Sequence, residues 1–216
     1  MIPTVTVESL IQRAKELALS GSREILGITG APGAGKSTLA AQLVDALGAD
    51  LAVLVPMDGF HLANSLLEDR GLRQVKGAVQ TFDDAGFANL LHRIKNQKVD
   101  ETIYAPHFDR DLEESIAGAI PVLPGTPLVI TEGNYILADE GQWPSARGML
   151  TESWFLEPAD DIRHQRLISR HIAHGKTEQE AQRWALGSDE QNAKMIQATA
   201  AKADRIIRVS SARTRC

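Results

Sequence analysis

Apolar residues recur at two different periods along this chain. Between Val7 and Leu19, the residues Leu10, Ile11, Ala14, Leu17 and Ala18 return every three or four positions, which places them on one face of a helix. Glu24–Gly30 (EILGITG) is instead a short apolar run of strand length, followed by a glycine-rich turn. Ser37–Leu47 predicts a helix stopped by Gly48, and Leu51–Met57 (LAVLVPM) predicts a second strand. Helical spacing returns over Thr81–Asn96, its start marked by Thr81 and by the acidic pair Asp83 and Asp84, which suit the positive end of a helix. Pro127–Thr131 and Trp154–Leu156 read as two more buried strands, Asp160–Ala203 as polar and helical, and Arg205–Val209 as a last strand. Strands alternating with helices predict an α/β fold in three layers, a central parallel sheet covered on both faces. In such sheets crossovers are right-handed and ligands gather at the carboxyl ends of the strands.

The composition narrows the picture without changing it. At 216 residues, 43% hydrophobic and 24% charged, the chain fits one globular domain over residues 1–216 with a continuous core. A formal charge of −5 lacks the broad basic footprint of a nucleic-acid binder, so positive charge for an anionic ligand must be local. Cys216 is the one cysteine, which allows no intrachain disulfide, suits a reducing cytoplasmic compartment and reads as a disordered tail residue. No run approaches the roughly 18 apolar residues of a membrane span, and the opening residues carry no secretory-signal pattern.

The turn after the first buried run carries the sharpest chemistry. Gly30-Ala31-Pro32-Gly33-Ala34-Gly35-Lys36-Ser37 matches G-x-x-x-x-G-K-[ST] in full, and it sits between a predicted strand and a predicted helix. Glycines let such a loop curl so that its N–H groups point at phosphate oxygens. Lys36 is placed to reach the β- and γ-phosphates of ATP, Ser37 to ligate Mg²⁺, and Thr38 to support the site from the helix. Chance alone produces this pattern in roughly one chain per hundred of this size.

Three further groups stand behind other elements. Asp58, in Met57-Asp58-Gly59-Phe60-His61, is expected to end the second strand, where a carboxylate can take the proton of an attacking hydroxyl. Glu132 closes Val129-Ile130-Thr131-Glu132-Gly133-Asn134-Tyr135 and suits the Mg²⁺ shell. Gly133 there would let a ligand approach the backbone, with Asn134 and Tyr135 lining an acceptor pocket. Arg163, Arg166 and Arg170 share one helix face, with His174 beyond, and such a row either neutralises a transferring phosphoryl group or closes over ATP as a lid. The plainer alternative is a solvated basic face paired with acids.

With these groups in place, the sequence resembles the uridine kinase, pantothenate kinase and phosphoribulokinase group of P-loop kinases. Within that group it is most similar to bacterial proteins named as fructose-transport-system kinases or nucleoside/nucleotide kinase family members. The resemblance runs from Ile25 to Val209 and rests on GAPGAGKST, MDGFHL, KGAVQTFD, YAPHFDR, TEGNYIL and RLISRHIAHGK. It implies ATP and Mg²⁺ as cofactors, Asp58 as general base, Lys36 and Ser37 on the phosphates and metal, and Glu132 in the metal shell. It also implies a mobile helical lid over about residues 160–195 that contains Arg166, Arg170 and Lys176, with Arg170 catalytic. Lys76–Asp83 and Tyr104–Arg110 would form the acceptor side, with His61, Phe82, Asp83, His107 and Arg110 nearest the substrate. Uridine kinases carry an Asp-Ser-Phe-Tyr type sequence where this chain has Asp58-Gly59-Phe60-His61, so the hydroxyl acceptor stays open among a fructose-like sugar, a nucleoside and a pantothenate-like alcohol.

Two rivals come from other classes: a regulatory GTPase or motor-type NTPase, and a non-catalytic nucleotide-binding module linked to sugar uptake. The first lacks its guanine-reading Asn-Lys-x-Asp, and the intact Lys36, Ser37, Asp58 and Glu132 argue against the second. Trp143, Trp154 and Trp184 read as packing residues, and an aromatic content of 5% offers no stripe for a nucleic-acid strand. The histidines, including the pair His171 and His174, form no metal-ligand cluster, and Asp109 beside Arg110 reads as a surface ion pair. A homodimer would be unsurprising for such a fold.

Overall fold

The strand that leads into the glycine-rich loop, β2 (Glu24–Thr29), is buried along its whole length, and the sheet grows outward from it. In the computed structural model, which describes residues 2–173 and 175–210, β2 lies between β6 (Leu128–Glu132) and β7 (Glu152–Leu156). β3 (Ala52–Leu54) forms one edge, while β8 (Arg205–Val209) and β1 (Thr4–Val5) extend the other, giving the six-stranded order β1-β8-β7-β2-β6-β3. Every neighbouring pair is parallel, with Leu26 opposite Ile130 on one side and Glu152 on the other. His174 and Cys216 lie outside the described residues.

Alternation along each strand sorts the side chains into two cores. Leu26, Ile28, Ile130 and Trp154 point to the face covered by α1 (Val7–Ala18) and α2 (Lys36–Leu47). Ile25, Val129 and Phe155 point to the other face, where they meet α4 (Asp84–Lys95), α5 (Trp143–Arg147) and the end of α8 (Ser188–Gln197). The result is the three-layer parallel arrangement that the alternating pattern predicts.

Several boundaries differ from those expectations, the larger ones for local reasons. The second strand stops at Leu54 instead of Met57, because Pro56 has no N–H for the ladder and Met57–Phe60 turns into a 3-10 helix. Thr81 does not begin a helix: its hydroxyl donates to Ala78 O (2.7 Å) within a 3-10 turn. Asp83 is the N-cap of α4 instead, accepting from Gly86 N at 2.8 Å. The polar stretch Asp160–Ala203 is broken at Gly175 (φ 86°) and Gly187 into α6 (Asp160–Ala173), α7 (Glu178–Leu186) and α8. Thr177 and Glu180 close a capping box at the start of α7.

The edge strand β1, a short helix over Asn64–Asp69, helix α5 and a two-stranded hairpin were not anticipated. β4 (Ile103–Asp109) and β5 (Glu114–Val122) form an antiparallel hairpin outside the main sheet, with a register shift between Ala105 and His107. Most of β5 faces solvent, so it carries no hydrophobic alternation from which a strand could be read. A short α3 (Asn64–Asp69) lies between the 3-10 turn at Asp58 and this hairpin.

At the start of β2, Glu24 shows how a polar group is kept at the rim of the core. Burial raises the proton affinity of its carboxyl, but hydroxyls of Ser22 (2.5 Å), Thr151 and Ser20 (2.9 Å) donate to it, Lys95 lies 3.4 Å away, and the net result is a pKa lowered to about 2. A carboxyl whose folded pKa is depressed adds stability above its unfolded pKa and loses it as pH falls toward the folded value. Glu24→Ala should therefore cost about 2 kcal/mol at pH 7. Chemical denaturation at intervals between pH 7 and pH 2 should show the gap to the parent closing below about pH 4.5.

Candidate active site

The loop after β2 is held by its own lysine. Lys36 is 8% exposed, and its ammonium donates to Gly30 O (3.0 Å) and Ala31 O (3.3 Å). Burial lowers its proton affinity, while Glu132 and Asp58 pull it back up. The turn itself needs glycine: Gly33 has φ 81° and Gly35 φ 97°, and a Cβ on Gly33 would stand 2.8 Å from Arg163 O on α6. The helix α6 thus rests directly on the loop. Arg166 reinforces the contact by donating to Ala34 O at 3.2 Å.

The carboxylates come from the ends of neighbouring strands. Glu132 ends β6 and accepts from the Ser37 hydroxyl at 2.8 Å. It is 6% exposed, and burial raises its proton affinity against the pull of Lys36. Thr131 Oγ1 donates to Val55 O at 2.7 Å, and Gly133 N donates to Ile28 O at 3.1 Å, so both flanking strands fix the position of Glu132. Gly133 makes room for a side chain and not for a ligand: a Cβ there would lie 2.5 Å from Met57 Cβ.

Asp58 projects from the 3-10 turn, half-buried, with Arg110 of the hairpin 3.4 Å from its Oδ2. That contact replaces the expected pairing of Arg110 with Asp109, whose Oδ1 accepts from Asp111 N and Leu112 N (both 2.9 Å) to close the hairpin turn. Gly59 is required because a Cβ there would meet Pro106 O at 2.4 Å, which seats the hairpin against the turn. The His61 ring lies between Phe82 (centroids 4.1 Å) and Phe108 (4.5 Å) and contacts Asp58 O through Nδ1 at 2.7 Å. Since a carbonyl only accepts, Nδ1 carries the hydrogen. Burial lowers the His61 proton affinity, which keeps the ring neutral near pH 7.

These groups open onto a cleft of about 990 Å³. Pro32, Asp58, His61, Phe82, Arg110 and Asn134 line it, together with Arg170 from α6. Other expected site residues lie elsewhere. His107 is exposed and follows the alternation of β4 away from Phe108, which lines the cleft in its place. Asp83 is exposed and occupied as a helix cap, and Thr38 is exposed on α2. Tyr135 is buried in the core, with its hydroxyl donating 2.7 Å to Gly77 O and lying 3.0 Å from Asn192 Oδ1.

The arginine face divides. Arg163 is 4% exposed and paired with Glu190 and Asp160, so it ties α6 to α8 and is not a solvated cation. Trp143 and Trp154 are core residues as expected, but Trp184 is 47% exposed, lines the cleft and carries Lys176 over its ring at 4.9 Å. Lys76, at the start of the expected acceptor stretch, lines the cleft, and sequence reasoning missed Arg73 beside it, whose adjacency depends on the fold of an irregular loop. A second hollow of about 410 Å³ lies on the other flank of the loop, bounded by Ala34, Leu156, Pro158, Arg166 and Val209. No group of three or more metal-binding side chains occurs among the described residues, and no helix there is long and apolar enough to cross a membrane.

A parallel sheet that opens on a G-x-x-x-x-G-K-[ST] loop, with carboxylates after two other strands and helices laid across the loop, is the architecture of a P-loop kinase. The profile of the Phosphoribulokinase / Uridine kinase family matches residues 25–214, and the chain belongs to that family. A Schizosaccharomyces pombe protein provisionally named a uridine kinase is 33% identical over 184 residues, 81% of this chain and 78% of its own length. A solved structure from Silicibacter sp. TM1040, provisionally named a fructose transport system kinase, superposes with TM-score 0.83 at 41% identity, covering 94% of this chain and 98% of that one. Saccharomyces cerevisiae YFH7 shares the fold, with TM-score 0.79 at 18% identity over 96% of this chain and 100% of its own. The chain is accordingly an ATP-dependent kinase with an alcohol group as acceptor.

The packing of α6 on the loop yields a direct expectation. Gly33→Ala combines a left-handed backbone with a collision against α6, and should cost about 1–2 kcal/mol or more in stability. Guanidinium titration of the variant, with ADP binding measured in parallel, should show both losses together.

Proposed function

We propose that the chain transfers the γ-phosphate of ATP, with Mg²⁺, to a hydroxyl of a small acceptor, a fructose-like sugar, a nucleoside or a pantothenate-like alcohol. The observation that carries this reading is the place of Asp58. It lines the large cleft, yet its charge acts on both Lys36 of the phosphate loop and Glu132 at the end of β6. A carboxylate at that junction lies between a bound acceptor and the phosphoryl group it receives.

In this reading Gly30, Ala31, Pro32, Gly33, Ala34, Gly35, Lys36 and Ser37 cradle the phosphates, supported by Thr38, and the hollow beside Ala34 and Arg166 takes the nucleoside half of ATP. Ser37 and Glu132 are hard oxygen donors already 2.8 Å apart, which suits Mg²⁺, and they would hold it. When bound, the ion supplies neutralising charge to the β- and γ-phosphates. The acceptor hydroxyl is deprotonated by Asp58 as its oxygen bonds to the γ-phosphorus. The bond from that phosphorus to the bridging oxygen breaks, and ADP leaves. Lys36 and Arg170 stabilise the charge that spreads over the transferring group, and Arg166 with Arg170 and Lys176 covers it as a lid. His61, Phe82, Arg110 and Asn134 form the acceptor wall. Tyr135 acts through the loop it holds at Gly77, while Asp83 and His107 do not line the cleft.

Asp58→Asn should lower turnover by about 10²–10⁴-fold while leaving ATP affinity intact, because a general base contributes on that order. Lys36→Ala should weaken both nucleotide binding and transfer. ADP formation with and without a panel of sugars, nucleosides and pantothenate-like alcohols checks the whole reading. Release of ADP at one rate regardless of acceptor would point to an NTPase, ATP binding without any turnover to a nucleotide-binding module, and normal turnover by Asp58→Asn would remove the base.

A further inference from the structure

The large cleft is served by two groups of cations with different surroundings. In one, Lys36 feels the charges of Glu132, Asp58 and Arg170, so Arg170 belongs with the phosphate loop. In the other, Lys76 interacts with Glu114, Glu113 and Arg73, and its charge reaches the ring of His61. Arg73 and Lys76 both line the cleft. They stand on the segment between α3 and α4 and belong to no part of the glycine-rich turn. Neither is needed to cradle a nucleotide held at Lys36.

A structural role explains part of Lys76. Its ammonium donates to Asn64 Oδ1 (2.6 Å) and to the carbonyl of Glu113, and it stands 5.0 Å from the centroid of the Phe108 ring. Both acceptors are neutral oxygens, and an ammonium has a third donor. Burial lowers the Lys76 proton affinity even though Glu113 and Glu114 lie close enough to raise it. Arg73 forms no ion pair among the described residues, whereas Arg110 is already committed to Asp58. A neutral sugar or nucleoside entering here would strip water from these cations and return no countercharge. An anion would reverse the sign of that cost.

Resting on the reading of Asp58 as the transfer base, we propose that the acceptor is a hydroxyl compound bearing a carboxylate or phosphate, whose anionic group sits between Arg73 and Lys76 while its hydroxyl faces Asp58. The arrangement gives the acceptor's own charge cations separate from Lys36 and Arg170, which serve the transferring phosphoryl group.

The test measures binding by calorimetry, with ADP and Mg²⁺ present, for matched pairs: gluconate against glucose, ribose 5-phosphate against ribose, and pantothenate against the neutral alcohol pantothenol. At least one anionic member should bind about tenfold tighter than its neutral partner, as a charge-assisted contact requires. Comparison of the carboxylate pairs with the phosphate pair identifies which anion is read. Lys76→Met and Arg73→Met should each erase about tenfold of that preference, while Lys76→Arg retains it and ADP affinity stays unchanged. Arg73→Met does not disturb the Asn64 and Glu113 contacts, so it decides the matter even if Lys76→Met folds poorly. Equal binding within every pair, preference for the neutral members, no binding of any anion, or a preference that survives Arg73→Met would overturn the proposal. Failure of the kinase reading has a different signature, ADP released from ATP at an acceptor-independent rate that Asp58→Asn leaves untouched.

Discussion

An ammonium group that is only 8% exposed has to find oxygen atoms, and Lys36 finds two of them in the backbone of its own loop. Desolvation works against that charge, and it is sustained by Glu132 and Asp58, which arrive from two separate points of the chain. Around this one buried cation the rest of the site is arranged. The loop curls to present Gly30 O and Ala31 O, Gly33 and Gly35 adopt the left-handed backbone that the curl demands, and α6 closes down on Gly33 with no space for a side chain between them.

The same constraint concentrates polar groups at one edge of an otherwise apolar sheet. Inside the strands, neighbours such as Ile25, Leu26, Val129 and Ile130 are sealed into one core or the other. Glu132, Ser37 and Lys36 appear where β6 and β2 end, and there the charges stand on a rigid frame instead of a flexible surface. Rigidity matters because phosphoryl transfer is helped mainly by positioning and by charge already in place. The shift of Glu132 toward its protonated form is the cost of burying a carboxylate there, and a bound cation would relieve it.

The acceptor side is assembled differently. It stands outside the sheet, from a 3-10 turn, an irregular loop and a hairpin, and its contacts run between these pieces: Pro106 against Gly59, Lys76 to Asn64 and the Glu113 carbonyl, Tyr135 under Gly77. Such parts can vary without disturbing the β2–β6–β7 centre, which is how one fold serves acceptors of different chemistry. The helices α6, α7 and α8 form the third wall, with α6 pinned to α8 by the Arg163–Glu190 and His171–Asp189 pairs.

Much of this was legible in the sequence because it depends on local order. The strands β2, β6, β7 and β8, the helices α1 and α2, and the whole Gly30–Ser37 loop are dictated by residue spacing and by backbone demands that act over a few positions. The carboxylates Asp58 and Glu132 were recognisable from their place after apolar runs. Other features arise only when distant segments meet. Trp184 was read as packing yet is exposed in the cleft, and Arg163 was read on one face with Arg166 and Arg170 yet is buried against Glu190. Gly133 was read as making room for a ligand when it makes room for Met57. Arg110 looked like a partner for Asp109 and reaches Asp58, because the hairpin that carries it has no hydrophobic period to reveal it. The sequence by itself therefore determined that a nucleotide phosphate is held and by which loop, since those interactions are made by neighbours in the chain. Only the tertiary structure decided which side chains face the acceptor, since that depends on how a turn, a loop and a hairpin far apart in sequence are packed against each other.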